Sequence, residues 1–241
     1  MRSRAPGTAE SHDDSEAARA FEERRFSGPL GQMVAAEQMR VLANMIGRIH
    51  ERNILDVGTG TGRVAAMLAG GGARVTAVDT SERMLDAALK RARAQLVDVT
   101  FVRADAHALD FESRSFDVVV CLGVLLGARD WRQCLAESCR IADRLVIFDY
   151  PSATSVALIH SNMRRIFGSG PYRVLTRAAV EDTLSKSLFR VRSVHRQFVL
   201  PMWLHRAMGS RRTSSRVEEV IDRLGLRRRM GTPVTVCAER M

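Results

Sequence analysis

Over the first 150 residues, short runs of apolar and β-branched residues alternate with stretches in which apolar positions recur every three or four residues. The first pattern suits a buried strand and the second an amphipathic helix, so this half of the chain reads as repeating strand–helix units. Strands are predicted at 53–57, 74–78, 99–103, 116–122 and 145–150. Helices are predicted at 63–69, 82–94 and 131–141, with Ser81 as the cap of the second. Ahead of them, Met33, Val34, Val41, Leu42, Met45, Ile46 and Ile49 mark a core-facing helix after the Gly28-Pro29 turn. The uninterrupted apolar run at 116–122 suits a central parallel strand covered on both faces, with Asp117 inside it as a structural residue.

Beyond Pro151 the pattern changes. Helices are expected at 153–167 and, capped by Thr176, at 177–188; strict alternation over 189–200 predicts a strand with arginines on one face near its start. A last strand is expected at 232–239, with Pro233 at its edge or beginning. Residues 1–20 are polar and without period and are expected to be a disordered tail, and Phe21 and Phe26 flank a short helix.

The stretch Ile54-Leu55-Asp56-Val57-Gly58-Thr59-Gly60-Thr61-Gly62 joins the first strand to a helix through glycines at alternate positions. Such a turn needs torsions closed to residues with a Cβ and leaves room for a ligand, while the free amides of the following helix face it. The next strand ends at Asp79, whose carboxylate is placed to accept hydrogen bonds from ribose hydroxyls. A dinucleotide loop would read G-x-G-x-x-G, whereas this one reads D-x-G-x-G-x-G.

That motif resembles the first motif of the class I S-adenosyl-L-methionine (SAM) dependent methyltransferases. Residues 75–85, 101–106 and 115–121 resemble that family's second, third and fourth strand motifs, in order. The resemblance implies an α/β fold: a Rossmann-like, seven-stranded, mostly parallel sheet, helices on both faces, and an antiparallel last strand. It implies one domain over 21–241 with substrate-cap segments at 151–188 and 201–231. It implies SAM held by Asp56, Gly58, Thr59, Gly60, Gly62, Asp79, Thr80, Met84, Asp105, Ala106 and Cys121. Asp105 would accept from the adenine amine or simply cap its turn, Met84 would touch the adenosine or pack in the core, and Phe21 or Phe26 would cover the cofactor or dock on the core. Val124, Leu125 and Leu126 fall where the family approaches the reactive sulfonium, and they make an apolar wall. No D/N-P-P-Y/F/W tetrapeptide follows the fourth strand, which argues against exocyclic amines of nucleic acid as acceptors. Where the family writes Pro-Gly-Gly before the fifth strand, this chain has the turn Ala142-Asp143-Arg144.

Charge sharpens the picture of the second half. The net charge is +10. Residues 151–230 hold 15 arginines and one lysine against five acids, a net of +11, so the rest of the chain is close to neutral. That basic half suits phosphate, an anionic membrane surface or a solvated helix face. No apolar run approaches the roughly 18 residues of a membrane span, and no apolar signal core opens the chain, so the cytoplasm is expected. Cys121, Cys134, Cys139 and Cys237 lack metal-ligand spacing and are expected to be inert thiols, with no metal and no disulfide. His107, Asp110 and Glu112 read as surface or loop residues. An acceptor with a proton to lose needs a base, for which Asp149, Tyr150, His160, His195 and His205 are candidates, His160 the best placed. The leading expectation is O- or C-methylation of a small apolar or prenylated molecule, as in quinone-biosynthesis members of the family. An RNA methyltransferase using the basic half, with nucleic acid disfavoured as a partner, and a non-catalytic SAM-binding assembly subunit stand as alternatives.

Overall fold

The computed structural model describes residues 28–153, 174–198, 223 and 231–241. The tail 1–20, the aromatic segment 21–26, His160, His205, and almost all of the helix expected at 153–167 and of the segment 201–231 lie outside those residues. In chain order the described elements are α1 (Gly28–Ile46), β1 (Asn53–Val57), α2 (Arg63–Gly70), β2 (Arg74–Asp79), α3 (Glu82–Ala94), β3 (Thr100–Arg103), β4 (Phe116–Cys121), α4 (Trp131–Ile141), β5 (Ala142–Tyr150), α5 (Arg177–Lys186), β6 (Phe189–Phe198) and β7 (Thr232–Arg240).

The seven strands form one sheet in the order β3-β2-β1-β4-β5-β7-β6. β1 through β5 are mutually parallel, and β7 runs antiparallel to both β5 and β6. The order reverses at β1, between β2 and β4, which in an open parallel sheet opens a crevice at the carboxyl ends of the strands.

Alternation along the central strands sends side chains to two cores. Ile54, Val118, Val120 and Ile147 meet Leu42 and Ile46 of α1, Ala65 and Leu68 of α2 and Ala92 of α3. Leu55, Val119, Cys121 and Phe148 meet Trp131 and Leu135 of α4 and Val180 and Leu184 of α5. Each fully buried aliphatic among them stabilises the fold by about 1.5–3 kcal/mol before entropy is counted. Helices therefore cover both faces, as the resemblance implied.

One expectation needs correction. Residues 142–144 are not a turn: α4 runs straight into β5, whose first residue Ala142 pairs with Phe116. Arg240 on β7 makes this possible by donating to the carbonyls of Cys139 at 2.7 Å, Asp143 at 3.1 Å and Ala142, groups a connecting turn would otherwise satisfy. The pairing of β6 with β7 carries an irregularity between Val191 and Ser193, and Arg190 and Arg192 near the start of β6 both reach Glu239 of β7, at 2.7 Å and 3.8 Å. On α3, Ala88 and Ala92 are buried and Leu89 is 37% exposed. Asp117 is structural as expected: its carboxylate accepts from the Asn53 amide at 2.9 Å and from Arg52 at 3.2 Å.

Candidate functional site

The turn from β1 into α2 is shaped by its glycines. A Cβ on Gly58 would lie 2.3 Å from Val124 Cγ2, and one on Gly62 would lie 2.9 Å from the Ala88 Cα, so the loop after β4 and helix α3 both close against bare backbone. Gly60 differs. Its φ is +56°, and a Cβ there would meet nothing within 4 Å. The loop is packed on both flanks and open at its centre.

Two carboxylates hold that loop. Asp79, at the end of β2, accepts from the Gly60 amide through Oδ2 and from the Ser81 amide through Oδ1, each at 2.9 Å. Each of its oxygens has capacity for a further bond. Asp56, at 2% exposure, accepts from Thr59 Oγ1 at 2.7 Å and from the Ala65 amide in the first turn of α2. Burial is the larger influence on Asp56 and pushes its pKa up to about 7, against the Thr59 and Ala65 bonds and the nearby Arg63, which pull it down.

Above these residues lies a cleft of about 540 Å³, counting its open mouth. Its floor and walls are Asp56 and residues 58–61, Arg63 and Val64 of α2, Gln38 of α1, and Leu122 and Gly123 beyond β4. Four of the expected cofactor residues, Asp56, Gly58, Thr59 and Gly60, thus meet in one cleft, with Gly62 in the same turn and Asp79 bonded to it. Thr80 is exposed and Met84 half-buried on the flank, where Arg103 donates to the Thr80 carbonyl at 3.2 Å.

Asp105 and Ala106 follow β3, one strand further out. Oδ1 of Asp105 accepts from the His107 amide at 2.9 Å and lies 2.6 Å from His107 Nδ1, contacts that hold the carboxyl below its ordinary pKa. Asp105 therefore caps its own turn, and its side chain is 53% exposed. Ala106 is half-buried against the core. Cys121 is fully buried in the core shared with α4 and α5.

The family described as methyltransferase domain matches residues 54–144, the stretch that builds the loop, both carboxylate anchors and the strand ends around them. Over that stretch the chain is similar to methyltransferases. Demethylmenaquinone methyltransferase of Thermus thermophilus is 36% identical over 105 residues, 42% of this chain and 48% of that protein. Ubiquinone biosynthesis O-methyltransferase of Coxiella burnetii is 35% identical over 74 residues, 31% of this chain and 32% of that one. The chain thus spans less than half the length of these curated relatives. In fold it resembles magnesium protoporphyrin IX methyltransferase of Synechocystis with bound SAH, with a TM-score of 0.65, 16% identity and 99% and 90% of the two chains covered. The cyclase SpnF has a similar fold, with a TM-score of 0.61, 17% identity and 85% and 80% covered.

Around the cleft and across the sheet, several residues take roles other than those expected. Asp149 on β5 is 5% exposed and accepts from the Gly123 amide at 2.6 Å, so it shapes the loop after β4. Tyr150 is buried, which raises the pKa of its phenol. His195 lies 3.4 Å from Glu37 Oε1 and ties β6 to α1. His107 is not a surface residue: its side chain is 12% exposed, its Nε2 accepts from the Asp130 amide at 3.1 Å, and its carbonyl accepts from Gln133. It joins the loop after β3 to the start of α4. The four cysteines are free and buried, and desolvation pushes Cys134 and Cys237 up to about 11 and Cys139 to about 12, which keeps them protonated at neutral pH. Among the described residues, no group of three or more His, Cys, Asp or Glu side chains is placed to hold a metal, and no helix is long and apolar enough to cross a membrane.

Gln38, Arg63, Val64 and Leu122 line the cleft without having been anticipated, whereas Gly123 opens the stretch expected near the sulfonium. Arg63 carried a usable signal, because it directly follows the last glycine of the motif. Gln38 had none, since only tertiary packing brings α1 over the loop.

Proposed function

We propose that the chain binds SAM in this cleft and transfers its methyl group to a small apolar acceptor of the quinone or prenylated-ring kind. The observation that carries the reading is the open space at Gly60, bordered by Asp56 and by the Asp79-anchored loop, inside a matched methyltransferase domain. The residues present fit the cofactor. Asp79 has acceptor capacity for ribose hydroxyls, Asp56 offers negative charge to a cationic tail, and Thr80, Met84, Asp105 and Ala106 border the adenine side. Cys121, with its side chain in the core, would contribute only main chain. Bound there, SAM would supply an electrophilic methyl carbon on a sulfonium.

The protein's share is then orientation and exclusion of water. Val124 packs against Gly58, and Leu125 is fully buried, so the loop after β4 brings apolar surface to the glycine turn. The Asp149 bond to Gly123 fixes that loop from beneath. Topology supports the substrate caps as well. β5 and β6 both end at the sheet edge that carries the cleft, and β7 begins there, which supports the proposed caps 151–188 and 201–231 as starting beside the site. Their arginines suit an acceptor delivered from an anionic membrane surface. His160 is the proposed base within the first of these segments.

Two relatives matched over part of their length act, by name, on demethylmenaquinone and in ubiquinone biosynthesis, which favours a quinone-like acceptor. The fold by itself does not require methyl transfer, because SpnF is a cyclase. Incubation with methyl-labelled SAM and a quinone-containing lipid extract should move label into the lipid fraction. Binding of NAD in preference to SAM, or SAM binding with no labelled product from lipid or RNA, would overturn the enzymatic reading.

A further inference from the structure

On the sheet face shared with α4 and α5, the row at the end of β5 is polar at both of its ends. Val234 of β7 pairs with Tyr150 on one side and with Arg196 of β6 on the other, so two long side chains rise from one row, their Cα atoms roughly 10 Å apart. Tyr150 is 3% exposed and its ring stacks on Phe148, yet among the described residues nothing bonds its hydroxyl. Burial holds the proton on that phenol, against the pull of the nearby Arg196 and Arg177, so the hydroxyl is a donor with two guanidiniums beside it. Arg196 is half-buried, and among the described residues no carboxylate pairs with it; it donates to the Gly231 carbonyl at 3.4 Å. Arg177 opens α5, which the bridge between Ser152 and Leu175 sets beside the end of β5, and it is exposed and tied to Glu181 at 2.7 Å. A sheltered guanidinium without an acid, next to a hydroxyl without an acceptor, costs free energy unless an anion completes the group.

The place is close to the cofactor cleft. Asp149, the residue before Tyr150, accepts from the amide of Gly123, which lines that cleft. We propose that Tyr150 and Arg196, with Arg177 at the rim, bind an anionic oxygen group, carboxylate or phosphate, carried by the methyl acceptor, so that the acceptor is an apolar ring with an acidic substituent. This inference rests on the methyl-transfer reading above and narrows its substrate class. The planar fork of Arg196 suits two oxygens of one group, and the Tyr150 hydroxyl supplies a further donor from the neighbouring end of the row.

Calorimetry on the full chain loaded with S-adenosylhomocysteine tests it, with benzoate and phenyl phosphate as probes and benzyl alcohol as their neutral counterpart. At least one anionic probe should bind in the millimolar range or tighter, and benzyl alcohol should bind more weakly. Arg196→Met should weaken the anionic probe about tenfold to a hundredfold and Tyr150→Phe about fivefold to tenfold, and Arg196→Lys should recover only part of the loss. Arg190→Met removes the same charge from an exposed ion pair on the same strand and should change the probe by less than about twofold. Thermal melts and S-adenosylhomocysteine affinity, unmoved in these variants, establish that they fold. Binding of neither anionic probe, equal binding of benzyl alcohol, or equal losses in Arg196→Met and Arg190→Met would overturn the inference. So would phosphatidylglycerol vesicles that bind through Arg196 when neither probe does, which would place the anion on a lipid headgroup instead of the acceptor. Failure of the unaltered chain to bind S-adenosylhomocysteine would instead overturn the cofactor reading, and the inference with it.

Discussion

The parallel and antiparallel parts of the sheet are fastened by opposite means. Around β1, β2 and β4, buried or half-buried acids gather backbone amides: Asp79 takes those of Gly60 and Ser81, Asp149 that of Gly123, Asp117 that of Asn53, and Asp56 that of Ala65. Around β6 and β7, arginines gather carbonyls and carboxylates instead. Arg240 donates to Cys139, Ala142 and Asp143 and lies over the Phe189 ring, and Arg190 pairs with Glu239. The two fastenings differ in what they leave behind. A carboxylate that holds a loop by its amides keeps spare acceptor capacity beside a cleft. An arginine holding carbonyls on an open surface builds structure and no binding site.

Proton linkage should produce the largest contrast. Asp56 is ordinarily half-ionised near pH 3.8 and in the folded chain near about 7, so the folded state holds a proton that the unfolded chain has lost over that interval. Its stabilising share is complete below the lower value, declines as pH rises and is gone above the upper one, a span of as much as about 4 kcal/mol. Urea melts of Asp56→Asn should lose this slope between pH 4 and 7, and an unchanged slope would assign it to other groups. A cationic cofactor beside Asp56 should also expel the proton, so SAM binding near pH 6 should show a heat that depends on the buffer's ionisation enthalpy.

Asp79→Ala should come next. It removes the acceptor of two loop amides together with the proposed ribose contact, and SAM affinity should fall about a hundredfold by calorimetry. Gly62→Ala should cost about 2–3 kcal/mol in a thermal melt, because the new methyl meets the Ala88 backbone and the two helices must part. Gly60→Ala should cost about 1 kcal/mol, the strain of a left-handed torsion alone, yet impair binding more than Gly62→Ala relative to its effect on stability. On the other side of the sheet, Arg240→Ala should lower stability by about 1–2 kcal/mol with SAM affinity unmoved. Arg190→Ala should change stability by less than about 0.5 kcal/mol, as an exposed ion pair does.

Legibility in the sequence followed the same division. Strands β1, β2 and β4 and the glycine turn were readable because each is specified locally, by an apolar run, a terminal acid and residues that tolerate unusual torsions. The α4–β5 junction was misread because its carbonyls are satisfied by Arg240, about a hundred positions away, and no local pattern announces a partner at that distance. His107 was misread for a similar reason: its burial depends on Asp130, Gln133 and the start of α4. The irregularity at Arg192 belongs to the pairing of two strands and cannot be written in one of them. Within the cleft, main-chain contributors were visible as glycines, whereas Gln38 became a wall residue only through the docking of α1.

Because the last carbonyls of α4 are answered by a side chain on β7, about a hundred positions further along, that helix stays unfinished until β7 has joined the sheet. A ribosome-bound chain emerged as far as β5 already contains the glycine turn and both acids that hold it, and it still presents raw oxygen atoms at the foot of α4. The cofactor pocket can therefore take shape before the protein is sealed, and the arrival of Arg240 is the stitch that closes it.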